Sequence, residues 1–167
     1  MNKYHIVCFG VDPGASGAIS AICINEQGII QHVDSLRFSQ HSDRDLLLFI
    51  SDYLETLTYK HNSFAYLEQV HSMPGQGVSS TFKFGMAFGK AIMALQACGV
   101  SFSQITPSQW QKEFGMLKKG KSKTEHKRLL KQLAQQKLAN FNHPIVNENA
   151  DAMLLGLLAK DHFSNPF

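Results

Sequence analysis

Cysteine is scarce in this chain, and three thiols, Cys8, Cys23 and Cys98, cannot all pair off. They are scattered among apolar neighbours. This pattern excludes a disulfide-stapled scaffold and a zinc cage, and it fits buried thiols in a reducing compartment. No apolar run reaches the roughly 18 residues of a bilayer span, so no membrane is expected among the partners. Charge is sparse as well. Charged residues make up 17% of the chain against 44% hydrophobic ones, the balance of a packed globular protein and not of a disordered tail. No Gly-x-x-x-x-Gly-Lys-Ser/Thr phosphate loop occurs, and there are no repeats, low-complexity tracts or linker-like stretches. One domain spanning residues 1–167 is expected, long enough to bury a proper core. Met1 to His5 pass straight into a strand-like segment, so no cleavable leader is expected and a cytoplasmic location follows.

The net charge of +3 says little by itself, but its distribution says more. Nine Lys or Arg residues lie between Lys112 and Lys137 against only Glu113 and Glu125, so the remainder of the chain is net acidic. A basic segment on an acidic body fits a nucleic-acid enzyme whose phosphate-binding surface lies apart from its metal site. On charge alone, a solvated lysine-rich helix face explains the segment equally well.

Three strand-like runs open the chain: His5 to Val11, Gly17 to Ile24 and Ile29 to Phe38. Asp12-Pro13-Gly14 and Asn25-Glu26-Gln27-Gly28 between them are turn signals, so an antiparallel meander is expected. From Asp43 to Tyr59 the period becomes helical, with Leu46, Leu47, Ile50, Leu54 and Leu57 on one face and Ser42 or Asp43 as cap. Phe64 to Val70 returns to a strand pattern, Ser79 to Ala97 to a helical one, and Val100 to Thr106 reads as a fifth strand. A short helix over Ser108 to Phe114, capped by Ser108, a basic helix over Lys123 to Leu138 and an apolar helix over Glu148 to Lys160 complete the chain. A meander followed by alternating helices and strands predicts an α/β fold, a five-stranded mixed sheet with helices on both faces.

Four carboxylates carry the chemistry. Asp12 ends a buried strand where Pro13-Gly14 fixes the backbone, although an isolated Asp-Pro-Gly turn needs no further explanation. Glu68 sits inside a stretch fit for a central strand, where an ionised carboxylate is costly unless a cation neutralises it. Glu148 and Asp151 stand three apart at a helix start, a spacing that puts both on one face. Acids there also complement the helix dipole, but that does not explain why Asp151 borders an apolar, sheet-packing stripe. Together the four make an all-oxygen site suited to Mg²⁺ or Mn²⁺ and not to zinc. Two such ions about 4 Å apart would activate a water and stabilise the leaving 3′ oxygen in phosphodiester cleavage.

Gly10-Val11-Asp12-Pro13-Gly14-x-x-Gly17, Leu67-Glu68-Gln69-Val70, Phe84-Gly85-x-x-x-Gly89 and Glu148-x-Ala150-Asp151-Ala152 occur in that order. Each motif is weak alone, but the ordered set, covering Ile6 to Leu158, resembles the RuvC-type Holliday junction resolvases. Met73 to Gly85 resembles their phage and prophage branch in particular. The resemblance implies a ribonuclease H-like fold and a homodimer that nicks two opposing strands of a four-way DNA junction symmetrically, with Mg²⁺ as cofactor. It assigns Asp12, Glu68, Glu148 and Asp151 as catalytic metal ligands, with Glu148 standing where an aspartate is often found. It puts His71 where bacterial relatives carry an aromatic wedge, and Lys119, Gly120, Lys121, Ser122 and Lys123 in a basic loop near the scissile phosphate. Such a loop positions DNA without reading sequence, and Lys121 or Lys123 would offset transition-state charge. Lys127, Arg128 and Lys131 are expected as outer phosphate contacts or a plain solvated face. The helix bearing Phe84, Gly85, Phe88 and Gly89 would form the dimer contact, unless the glycines merely fit against the sheet. Trp110 is expected to serve only packing.

A ribonuclease H or a flap nuclease would share this fold. Actin-like ATPases and sugar kinases also use Asp-x-Gly strand turns, but they need two such domains. A non-catalytic junction-binding protein would not need all four acids.

Overall fold

The computed structural model describes residues 4–14, 16–59, 61–69 and 77–164. Its sheet grows from the meander that the turn signals dictate: β1 (Ile6–Asp12), β2 (Ala18–Ile24) and β3 (Ile30–Arg37), each antiparallel to the one before. β4 (Ser63–Glu68) pairs in parallel with the free side of β1, and β5 (Ser101–Ile105) pairs in parallel with β4. The order is β3-β2-β1-β4-β5, a mixed five-stranded sheet. Parallel pairing requires crossover connections, and α1 (Asp43–Glu55) and α2 (Val78–Ala97) lie in them.

Strand alternation splits the core in two. Val7, Phe9 and Val11 of β1 point with Ile19, Ala21, Ala65 and Leu67 toward α1 and α2. Cys8, Ile22, Ile24 and Phe64 point the other way, toward α3 (Pro107–Glu113), α4 (Lys123–Lys137) and α5 (Ala150–Ser164). Helices therefore cover both faces, as the pattern predicts. Among the described residues no helix is long and apolar enough to cross a membrane.

α5 lies unusually close to the sheet because two glycines let it. A methyl group on Gly10 of β1 would collide with the Ala152 carbonyl and the Gly156 amide of α5. A methyl group on Gly156 would meet Ser20 Oγ at 2.6 Å and an Ile22 carbon at 2.9 Å. The buried Ser20 hydroxyl donates to the Ala152 carbonyl at 2.7 Å, so the approach is stitched as well as packed.

Several boundaries differ from the sequence expectation, and four of them bear on the site and its supports. α1 stops at Glu55 and not at Tyr59. The Thr56 hydroxyl bonds the Tyr53 carbonyl at 2.6 Å, and Leu57 leaves the helix to bridge Tyr4. α3 is capped by Thr106 and not by Ser108. Thr106 and Gln109 form a reciprocal capping box, with Pro107 in the first helical position, where its missing N–H costs nothing. β4 ends at Glu68, which therefore lies at the sheet rim and not mid-strand, because its neighbours β1 and β5 end there too. α5 begins at Ala150 and leaves Glu148 in the preceding turn.

Candidate functional site

Asp12 and Glu68 close two adjacent parallel strands whose preceding residues, Val11 and Leu67, are direct partners in register. Strand alternation sends Val11 and Leu67 into the α1–α2 core, so Asp12 and Glu68 emerge together on the α5 side. There the close approach of α5 brings in Asp151 from its first turn, one residue before the Ala152 carbonyl that Ser20 holds. Backbone proximity thus makes neighbours of three acids from distant parts of the chain.

The three carboxylates act on one another. Burial raises the Glu68 pKa to about 8, the charges of Asp12 and Asp151 add to the rise, and the Trp110 hydrogen bond and Lys127 oppose it. Burial and then Asp12 raise Asp151 to about 7, again against Lys127. Asp12 is raised by burial and held back by the Gly14 amide, which donates to its Oδ1 at 3.1 Å, and by Lys127. Each side chain keeps part of its surface open to solvent. Protonated, the cluster is quiet. Ionised, it is a concentration of hard oxygen donors that Lys127 only partly offsets, the chemical setting that a divalent cation relieves. Among the described residues, no group of three or more His, Cys, Asp or Glu side chains is gathered closely enough to hold a metal ion.

Glu148 is half-buried in the turn before α5, and it is not among the charges that raise the other three. A polar relay anchors that turn to the edge strand. Asn149, almost fully buried, receives the Val146 amide at 2.8 Å and donates to the Pro144 carbonyl and to Ser35 Oγ, both at 2.9 Å. Ser35 in turn meets His143 Nε2 at 2.9 Å, and His143 Nδ1 lies 3.6 Å from Asp34, to which Tyr53 donates at 2.7 Å. Turn, strand and α1 are thereby tied together beside Glu148 and Asp151.

The sequence reading missed two contributors. Lys127 is exposed and lines a cleft of cations, as a solvated face or outer phosphate contact would be, and its charge also reaches all three acids. Trp110 packs in the core as expected, and in addition its indole N–H donates to Glu68 Oε1 at 2.8 Å. For Lys127 the basic run carries no signal, because nine similar charges hide which one lies near enough to act on the acids. For Trp110 the available signal was a lone indole just past a strand end: a buried indole nitrogen must find an acceptor.

The predicted basic loop precedes α4. Lys119 and Lys123 are exposed and Lys121 is half-buried, its ammonium 3.5 Å from the Leu117 carbonyl. Ser122 caps α4 by accepting the Glu125 amide at 3.2 Å. Beyond it a cleft of about 460 Å³ is lined by Lys123, Thr124, Lys127, Arg128, Lys131 and Asn147, with cations from α4 on one side and the neighbour of Glu148 on the other. His71 lies outside the described residues, as do Met73, Pro74, Gly75 and Gln76 of the Met73–Gly85 stretch.

On α2, a methyl group added to Gly85 or Gly89 would meet open space, so neither glycine is needed to fit against the sheet. Phe84 is half-buried, and Phe88 packs onto the core. The apolar residues presented to solvent are instead Val78, Phe82, Met86 and Met93, at helical spacing beside the two glycines.

No known family model matches the chain, and no curated protein sequence matches it. Solved structures do. Thermus thermophilus RuvC superposes with a TM-score of 0.61 at 17% identity, covering 95% of this chain and 96% of that one. T. thermophilus RuvC in complex with a Holliday junction substrate superposes with a TM-score of 0.60 at 16% identity, covering 96% of each chain. The fold is the ribonuclease H-like fold of RuvC.

Proposed function

We propose that this chain is a divalent-metal-dependent endonuclease that resolves four-way or otherwise branched DNA by paired symmetric nicks, acting as a homodimer. The observation that carries this reading is the desolvated cluster of Asp12, Glu68 and Asp151 at the C-terminal rim of two parallel strands. The shared fold with RuvC supports it, and so does the solved RuvC–junction complex.

The donor set fits Mg²⁺ or Mn²⁺, with three carboxylates that repel one another and one lysine that only partly offsets them. A cation would draw the three together, and Glu148 is the proposed fourth ligand. Bound there, two Mg²⁺ ions would supply the Lewis acidity for in-line phosphodiester hydrolysis. The chain's own residues do the rest. The Gly14 amide orients Asp12, the relay through Asn149 steadies the turn bearing Glu148, and Lys127 balances charge between cleft and acids. Lys119, Lys121 and Lys123, with the α4 N-terminus that Ser122 caps, suit a DNA phosphate, because helix N-termini and lysines both favour anions. The α4 cleft then continues the phosphate path toward the acids. His71 is assigned to junction contact on sequence resemblance alone, and kinship with the phage and prophage branch rests on Met73 to Gly85 in the same way. The exposed face of α2 is the proposed dimer contact, and a cytoplasmic setting, which the scattered thiols suggest, belongs to the same proposal.

A cleavage assay on a mobile four-way junction, Y-forks and RNA–DNA hybrids, with and without Mg²⁺, tests this reading. Paired symmetric nicks on the junction, only with Mg²⁺, are expected. Asp12→Asn should reduce cutting by at least about 100-fold, the scale of losing one preorganised electrostatic group, while junction binding persists. Preferred cutting of hybrids or forks would overturn the junction assignment, and no cutting of any substrate would overturn the nuclease.

A further inference from the structure

A buried indole has a large apolar body and one N–H, and that N–H needs an acceptor. Trp110 has no exposed surface. It packs in the α3–α4–α5 core, edge-on to Phe114 at 6.3 Å. The acceptor it finds is the Glu68 carboxylate, 42 residues away in sequence, at 2.8 Å.

The placement follows from the fold and not from chance. Glu68 pairs in register with Ile105, the last residue of β5. Thr106 then caps α3 through its reciprocal box with Gln109, and Pro107 starts the helix at once. One turn later the chain has come round so that Trp110 faces the end of β4. Cap, proline and core packing all fix the indole, which has only two side-chain torsions to settle.

A carboxylate offers about four lone-pair sites on two oxygens. The indole takes one on Oε1 and so fixes the plane of the group, leaving the remaining lone pairs for a cation. The same bond favours the ionised form of Glu68 against the burial and neighbouring charges that oppose it.

We infer that Trp110 is a positioning residue that orients Glu68 to bind the divalent cation, through the 2.8 Å hydrogen bond from its buried indole. The inference rests on the metal-site reading above and adds to it a residue that touches neither metal nor DNA. It separates the N–H, which serves the site, from the ring, which serves the core.

That separation can be tested because the chain contains a single tryptophan. Biosynthetic replacement of tryptophan by benzothienylalanine keeps the bicyclic shape and removes the N–H at this one position. Mn²⁺ binding is measured without DNA, by the loss of the free-ion electron paramagnetic resonance signal, on the wild type, the analogue, Trp110→Phe and Glu68→Gln. The expected result is Mn²⁺ affinity weaker by about 10- to 100-fold in the analogue and in Trp110→Phe, the usual effect of losing a partner of a metal ligand. Glu68→Gln should bind more weakly still, and the analogue should melt within a few degrees of wild type. In the wild type, Mn²⁺ should also quench Trp110 fluorescence saturably. An analogue that binds Mn²⁺ as wild type does, or a wild type that binds none, overturns the inference. A wild type that binds Mn²⁺ through Glu68 and Trp110 but cuts no DNA leaves the inference standing and removes the nuclease reading instead.

Discussion

Glu68 and Asp151 hold their protons to about pH 8 and about pH 7, against ordinary values of 4.5 and 3.8. Burial is the first cause and Asp12 the second. A group whose pKa rises on folding binds its proton more tightly in the native state. Its stabilising effect is complete below the unfolded pKa and disappears as pH rises through the folded one. In EDTA the melting temperature should therefore fall as pH rises from about 4.5 to about 8. The expected fall is roughly 3–10 °C for a chain of this size. Glu68→Gln, which cannot ionise, should remove roughly half of that slope and melt higher than wild type at pH 8, with Asp151 carrying the rest, and Mg²⁺ should narrow the gap by restoring the wild type. Scanning calorimetry across pH on both proteins checks this, and parallel profiles would mean that Glu68 is not desolvated as described. The difference between the two profiles is the informative quantity, because it cancels every group that the two proteins share.

At the scale of elements, the site depends on how closely α5 lies against β1 and β2. Gly156→Ala introduces a methyl group 2.6 Å from Ser20 Oγ and 2.9 Å from an Ile22 carbon, neither at the end of a long flexible side chain. Overpacking of this kind costs about 1–3 kcal/mol. Urea unfolding should register it as a lower midpoint with an unchanged slope. The same displacement moves Asp151, so cleavage should fall further than the stability loss alone explains. A variant as stable and as active as wild type would show that α5 can back away without disturbing the acids. The relay from Asp34 through His143, Ser35 and Asn149 holds the turn before the element, which is why that turn keeps one shape beside the site.

Across the whole molecule, charge and apolar surface are segregated. Acids gather at the rim of β1 and β4, cations line the α4 cleft beside them, and Val78, Phe82, Met86 and Met93 form an exposed stripe on α2, with Phe82 68% and Met93 63% accessible. Two adjacent open glycines would let a second helix approach that stripe closely. Phe82→Glu combined with Met86→Glu should convert a dimer to a monomer in analytical ultracentrifugation and replace paired junction nicks by single uncoupled ones. Neither residue belongs to the acidic cluster, so loss of pairing without loss of cutting is the signature expected. A wild type that sediments as a monomer at micromolar concentration would remove the dimer from the reading.

The sequence by itself determined the strands, the helices and their order, because period-two and helical hydrophobic patterns are local and the turn signals between β1, β2 and β3 are explicit. It also marked Asp12, Glu68, Glu148 and Asp151 as candidate metal ligands, of which Glu148 is not among the charges that act on the other three. It did not determine where α1 stops or where α3 begins, which the caps at Thr56 and Thr106 decide. Nor could it single out Lys127 among nine like charges, or Trp110 as the donor to an acid 42 residues away, since both depend on which surfaces meet. Tertiary structure decided those points for one physical reason. The burial that raises the acids' pKa values, and the contacts that orient them, exist only once Gly10 and Gly156 have let α5 settle onto the sheet.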